Sequence, residues 1–234
     1  MTLTRLPRVD RLTLATVTQV PEAHPEFAVF EPFPVHAWVI RHPDGIVLFD
    51  TGIGLGHPDI DEWYHPESTT VADALAAVEV DVADVAAIVL SHLHFDHCGQ
   101  VQSFDAPVYV QADEVSVSAE PGYTVPEWAD IAPARLRQVH GDDEILDGLR
   151  LLSTPGHTPG HQSIVLDAAG EQVVLAAQCA YRADELRSGQ PSAANARDPS
   201  WLAAAEASLA RVRQLAPCSV HFSHDATVLD LSVP

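Results

Sequence analysis

Four side chains able to bind a metal ion lie within six residues, in Ser91-His92-Leu93-His94-Phe95-Asp96-His97-Cys98-Gly99. Imidazole with carboxylate is a donor mix that zinc accepts, and manganese, iron and cobalt also tolerate it. The donors follow Ala87-Ile88-Val89-Leu90, a short apolar run with β-branched residues that reads as a buried strand. In an extended backbone alternate side chains share a face, so His92 and His94 can converge on one ion. Once the chain turns, Asp96 and His97 can face a second ion beside the first.

Two later segments carry further histidines at comparable places. Thr154-Pro155-Gly156-His157-Thr158-Pro159-Gly160-His161 follows the strand-like Leu149-Arg150-Leu151-Leu152, and Ser223-His224-Asp225 follows Ser219-Val220-His221-Phe222. Each puts a histidine just past a strand end, where loops along one sheet edge build sites. His157 would complete a three-histidine set with His92 and His94, and His224 would join Asp96 and His97. Two ions roughly 3.5–4 Å apart can share a hydroxide that attacks a carbonyl while one ion polarises the carbonyl oxygen. Zinc brings bound water to a pKa of about 7, which gives a nucleophile without a serine or cysteine.

With these residues in view, the sequence resembles the metallo-β-lactamase-fold superfamily, and within it the lactonases that open N-acyl homoserine lactones. The resemblance rests on His-x-His-x-Asp-His at 92–97, Thr-Pro-Gly-His-Thr-Pro-Gly-His at 154–161, Ser-His-Asp at 223–225 and Leu48-Phe49-Asp50-Thr51-Gly52. It runs from about Pro34 to Val228. It implies an α/β (α+β) fold, a four-layer αββα sandwich of two mixed sheets flanked by helices, with metals at one edge between the sheets. It implies opening of a small neutral lactone ester by a metal-bound hydroxide, the reaction of quorum quenching. One or two zinc ions would be held by His92, His94, His157, Asp96, His97 and His224. Asp50 would support the ligands from behind, and His161 would play a supporting or structural part. Asp96 would also orient the hydroxide, and Tyr181 would donate its phenol to the developing oxyanion or the ring-opened product.

One departure falls on the chemistry. The family carries an aspartate that bridges both metals, usually after a glycine at a strand end. The matching strand here is Val173-Val174-Leu175-Ala176-Ala177-Gln178-Cys179-Ala180-Tyr181. Counting back from Tyr181 puts Gln178 at the bridging position. A neutral amide offers one weak oxygen and no charge, so the second ion is expected to bind more weakly. A one-residue slip would instead bring Cys179 to the metal. Alternation along a strand sends the two side chains to opposite faces, and the spacing to Tyr181 favours Gln178.

The 234 residues suit one sizeable domain, read as residues 1–234, and 47% hydrophobic content supplies a full core. Acidic residues number 33 against 12 basic, a net charge of −21, and every basic residue is arginine. That balance disfavours nucleic acid, which needs a basic track, and anionic membranes. Glutathione thioesters are disfavoured on the same ground. Three cysteines, Cys98, Cys179 and Cys218, form no disulfide pattern and suit a reducing, cytoplasmic setting. Met1 to Arg8 leads into charged residues without a signal-peptide core, and no apolar run reaches membrane-spanning length. Oligomeric state is not readable.

Along the chain, Arg11–Val17 alternates as a first strand, and Pro21–Pro34 reads as a loop near the site mouth. Val35–Ile40 and Ile46–Phe49 form a hairpin through His42-Pro43-Asp44-Gly45. Ile53–Thr70, with its glycines and prolines, is expected to be loop, with Trp63 and Tyr64 lining a channel or packing on the body. Val71–Val78 is a helix. Pro107–Val110 is a strand and Ala112–Ala119 a short helix. Glu120–Pro133 is expected to be loop, and strands follow at 136–139, 149–152, 163–166 and 172–176. Gln178–Asp198, with little periodicity, is expected to be a lid or substrate loop, and Asp198-Pro199 to cap a helix running to about Leu215. Two other functions compete with lactone opening: another ester, thioester or phosphodiester hydrolase, and a metal-binding homologue whose hydrolysis is lost or altered.

Overall fold

The structure is a computed structural model that describes residues 7–18, 32–168, 170–193, 195 and 200–231. Residues 1–6, most of the expected 21–34 loop with His24, and the Asp198-Pro199 cap lie outside the described residues. β1 (Arg8–Val17) pairs antiparallel with β2 (Phe33–His42), and a turn at Pro43-Asp44 leads to β3 (Gly45–Phe49). α1 (Pro58–Tyr64) and β4 (Glu67–Ser68) come next. They correct the expectation of unbroken loop over Ile53–Thr70. Pro58 sits in the first helical turn, where its missing N–H costs nothing, and Asp59 and Asp61 complement the helix N-terminus. The other breakers, Gly54, Gly56 and Pro66, fall outside the helix.

α2 (Val71–Ala77) is capped by Thr70, whose hydroxyl accepts from the Asp73 N–H at 3.0 Å. β5 (Val85–Val89) ends beside α3 (Phe95–Cys98), one helical turn. β6 (Val108–Gln111), α4 (Ala112–Val117), α5 (Pro126–Ala129) and β7 (Leu136–Val139) complete the first half. The second half holds β8 (Asp143–Leu146), β9 (Leu149–Ser153), β10 (Gln162–Ala168), β11 (Glu171–Ala177), α6 (Ala183–Ser188), α7 (Leu202–Arg213), β12 (Cys218–Phe222) and β13 (Leu229–Leu231). α5 and α6 lie in segments expected to be irregular. Pro126 opens α5, and Gly189, at φ +73°, closes α6 in the left-handed conformation that glycine tolerates.

Among the described residues the strands form two mixed sheets, ordered β4-β1-β2-β3-β5-β6-β7 and β13-β12-β11-β10-β9-β8. Trp38, Ile40 and Phe49 of the first sheet pack against Leu151, Ile164 and Leu175 of the second. Each of these fully buried large side chains contributes about 1.5–3 kcal/mol. α2 covers the outer face of the first sheet through Val71 and Leu75. α6 and α7 cover the second through Leu186, Leu209 and Val212. This is the expected αββα sandwich. The central strands are buried on both faces, which explains their near-continuous apolar runs.

Polar side chains tie the sheets together at the end that carries the histidines. Gln162 Nε2 donates to the Leu90 carbonyl at 2.8 Å, and its Oε1 accepts from Gln111 Nε2 at 3.0 Å. The Gln162 N–H donates to the Ser91 carbonyl at 2.9 Å. These bonds set the loop after β9 against the loop after β5.

Candidate metal centre

Two groups of donor atoms come together among the described residues: His92, His94 and His157, and Asp96, His97 and His224. Within each group every donor atom lies within 4.8 Å of the others. The loops after β5, β9 and β12 deliver them to one sheet edge. In the first group His94 Nδ1 lies 3.0 Å from His92 Nε2 and 3.1 Å from His157 Nε2. Burial, then the crowding of neighbouring imidazoles, pushes His92 and His157 well below the ordinary histidine range. At these distances the three rings bring a nitrogen each toward a common point, an arrangement that suits a bound cation.

In the second group Asp96 Oδ2 lies 3.6 Å from His97 Nε2 and 3.4 Å from His224 Nε2. Both of those nitrogens are buried without a hydrogen-bond partner. Burial works against charge on His97, yet the carboxylates of Asp96 and Asp50 hold its pKa above the ordinary value. Burial likewise opposes charge on Asp96, but His97 and His224 pull its carboxyl down. His224 is pushed down to about 4 by burial, against the pull of Asp96. Its Nδ1 is 2.9 Å from the Pro34 carbonyl, which turns Nε2 inward. The orphaned nitrogens and the converging donor atoms fit bound metal in both groups.

Asp50 sits at φ +63° directly after β3. Its Oδ1 accepts the Ser91 N–H at 2.7 Å; its Oδ2 meets Ser91 Oγ at 2.9 Å and His97 Nδ1 at 2.8 Å. It therefore holds the His97 ring and the start of the histidine loop at once. His161 is placed differently from the six donors. Its Nδ1 lies 3.0 Å from the Thr154 carbonyl, and its Nε2 accepts the Gln178 N–H at 3.1 Å. Both ring nitrogens are engaged, so His161 braces the backbone of Gln178.

Gln178 is 2% exposed, lines the cavity with the donors, and has an Oε1 without a hydrogen-bond partner. Ala177 before it adopts φ +46°. That left-handed residue, which costs about 1–2 kcal/mol without glycine, redirects the strand end. Cys179 lies instead in the core between the second sheet and α6 and α7, with Leu186 and Phe222. Burial raises its thiol to about 12. The structure does not bring it to the donors.

Tyr181 stacks on His224 at 5.2 Å between ring centroids and meets His157 edge-on at 5.7 Å. Above the donors opens a cavity of about 810 Å³. His94, Asp96, His157, Gln178 and Tyr181 line its floor, and Phe33, Ile60, Trp63 and Phe95 give it an apolar wall. Trp63 and Tyr64 thus both line the cavity; Tyr64 also packs on Phe95, with rings 4.6 Å apart.

A buried carboxylate that sequence reasoning passed over is Glu114, fully buried on α4. It accepts four hydrogen bonds, from the Leu93 and Gly160 N–H groups and from the hydroxyls of Tyr123 and Thr158. Burial raises its pKa, against the lowering effect of these donors. In the sequence it is one acidic residue among many; no local spacing marks it.

An αββα sandwich with two clusters of histidine and carboxylate donors at one sheet edge is the architecture of a metal-dependent hydrolase family. The family model of the metallo-beta-lactamase superfamily matches residues 30–224, and the chain belongs to that superfamily. The chain is similar to an N-acyl homoserine lactonase of Bacillus thuringiensis, 26% identical over 206 residues, 82% of this chain and 81% of the relative. It is also similar to the N-acyl homoserine lactonase AttM of Rhizobium radiobacter, 31% identical over 176 residues, 64% of this chain and 66% of the relative. Among solved structures, a mutant of B. thuringiensis AiiA with N-decanoyl-L-homoserine bound at the active site superposes with a TM-score of 0.81 at 21% identity. That superposition covers 95% of this chain and 94% of the other.

Proposed function

We propose that the chain, as one domain, is a metal-dependent hydrolase that opens a small neutral lactone of the N-acyl homoserine lactone type. On such signals the reaction is quorum quenching. The observation that carries this is that His94 and His157 of one donor group and Asp96 of the other line one cavity that Phe33, Ile60, Trp63 and Phe95 also line. The superfamily and the lactonase relatives support it. His92, His94 and His157 would hold one ion, and Asp96, His97 and His224 a second. Zinc suits the nitrogen-rich set best, and manganese, iron and cobalt are compatible. Bound there, such ions supply Lewis acidity to the ester carbonyl and bring water to a pKa of about 7.

The chain's own groups do the rest. Phe33, Ile60 and Phe95 receive the apolar part of the substrate and keep bulk water from the carbonyl. Asp96, on the cavity floor, orients the attacking water and receives its proton. Tyr181 donates its phenol to the oxygen that gains charge. The acyl–oxygen bond of the ring breaks, the ring oxygen leaves with a proton, and the product carries one carboxylate and one hydroxyl. A neutral substrate suits a chain of net charge −21.

Gln178 supports unequal metal occupancy, because its amide brings an oxygen to the floor without charge. A cytoplasmic setting is supported by three free, buried cysteines. No helix among the described residues is long and apolar enough to cross a membrane. The test is metal content per chain, followed by turnover of a series of acyl homoserine lactones. Tightly bound metal with chelator-sensitive lactone opening is expected. Metal binding without lactone turnover would overturn the substrate, and no binding of zinc or manganese would overturn the chemistry.

A further inference from the structure

Each donor group has a buried carboxylate behind it. Asp50 stands behind His97; the carboxylate behind the three-histidine group is Glu114. Its Oε1 accepts the Leu93 N–H at 2.8 Å, and Leu93 lies between His92 and His94. Its Oε2 accepts the Thr158 hydroxyl at 2.7 Å and the Gly160 N–H at 3.1 Å, just beyond His157. One side chain thus bonds to both loops that carry the three histidines. Oε1 also accepts the hydroxyl of Tyr123, whose ring lies 4.8 Å from that of His94.

The contact is close by construction. A Cβ on Gly160 would fall 2.2 Å from the Glu114 backbone nitrogen, so only glycine lets the second loop reach this carboxylate. All four partners are donors, which engages both carboxylate oxygens and leaves none for a metal. We propose that Glu114 is the positioning residue of the three-histidine group, fixing His157 against His92 and His94 through Leu93, Thr158, Gly160 and Tyr123. This rests on the reading that those histidines hold a metal. Sliding one loop against the other changes the 3.1 Å separation of His157 Nε2 and His94 Nδ1 directly.

Glu114→Gln tests it. The amide keeps the volume but has one acceptor oxygen, and its NH2 faces one pair of donors. The first equivalent of zinc, measured by competition with a chromophoric chelator, is expected to weaken 10–100-fold, the range for partners behind metal ligands. The visible absorption of the cobalt-loaded protein is expected to shift, while thermal unfolding stays cooperative. Thr158→Val and Tyr123→Phe each remove one donor and are expected to weaken the same equivalent less. They decide the matter if Glu114→Gln does not fold. Wild-type affinity and an unchanged cobalt spectrum in these variants, even with lowered stability, would overturn the proposal. Failure of the wild-type protein itself to bind zinc or cobalt would instead remove the metal reading beneath it.

Discussion

The two donor groups lie side by side at one sheet edge and are built on opposite principles. His92, His94 and His157 offer geometry without charge: three imidazoles, two of them pushed well below their ordinary range by burial, with nitrogens 3.0 and 3.1 Å apart. Asp96, His97 and His224 offer charge with looser spacing, 3.4 and 3.6 Å, and His97 is held above its ordinary pKa by two carboxylates. Burial disfavours a proton on His92 and His157, whereas the carboxylates of Asp96 and Asp50 favour one on His97. Gln178, which lines the same cavity as Asp96, supplies no charge. Two divalent ions would therefore meet one direct carboxylate, Asp96, and repel each other with little compensation. The difference teaches that the two groups are built unequally, and one tight and one looser equivalent of metal are the expected result.

The largest expected effect breaks the comparison from the tight side. His157→Ala or His92→Ala is expected to remove the first equivalent and lower lactone turnover by more than about 100-fold, beyond what loss of a supporting partner costs. His224→Ala should leave the first equivalent in place. Equal loss of both equivalents from either change, measured by metal analysis, would show one cooperative centre instead of two unequal groups.

Next in size is the support behind the looser group. Asp50→Asn replaces the acceptor that holds Ser91 N and His97 Nδ1. A 10–100-fold weakening of the second equivalent is expected, with a smaller change in the first. Calorimetric metal titration separates the two. Weakening confined to the first equivalent would reverse the assignment of Asp50.

Gln178→Asp sharpens the contrast in the other direction. A carboxylate at this place is expected to tighten the second equivalent about tenfold or more, since even a screened charge near two cations exceeds 1.4 kcal/mol. The same titration reads it, and an unchanged second equivalent would mean that Gln178 does not face the ions.

What the sequence disclosed follows the same division. The six donors were readable because each lies in a short segment just past a strand end, and β5, β9 and β12 end at one sheet edge. Asp50 was readable from its place at a strand end within a familiar motif. Glu114 was not, because its partners lie 21, 9, 44 and 46 positions away and meet it only after both sheets pack. Gln162 and Gln111, which set one loop against the other, are hidden for the same reason. α1 escaped because Pro58 reads as a breaker in the sequence and is a good first-turn residue in the fold. Gln178 and Cys179 part as expected but past the strand end: β11 stops at Ala177, and the left-handed turn there that aims Gln178 carries no glycine to announce it.

The smallest effect concerns that last pair. Cys179 packs among Ala183, Leu186 and Phe222, apart from both donor groups, and burial raises its thiol to about 12. Cys179→Ala is expected to remove one buried sulfur, cost about 1 kcal/mol in chemical denaturation, and leave both metal equivalents unchanged. Its neighbour should behave in the opposite way, with Gln178→Asp changing metal binding more than stability. A Cys179→Ala protein that lost its second equivalent at full stability would place the sulfur in the donor group. It would also put the chain after Ala177 one residue out of step with the structure.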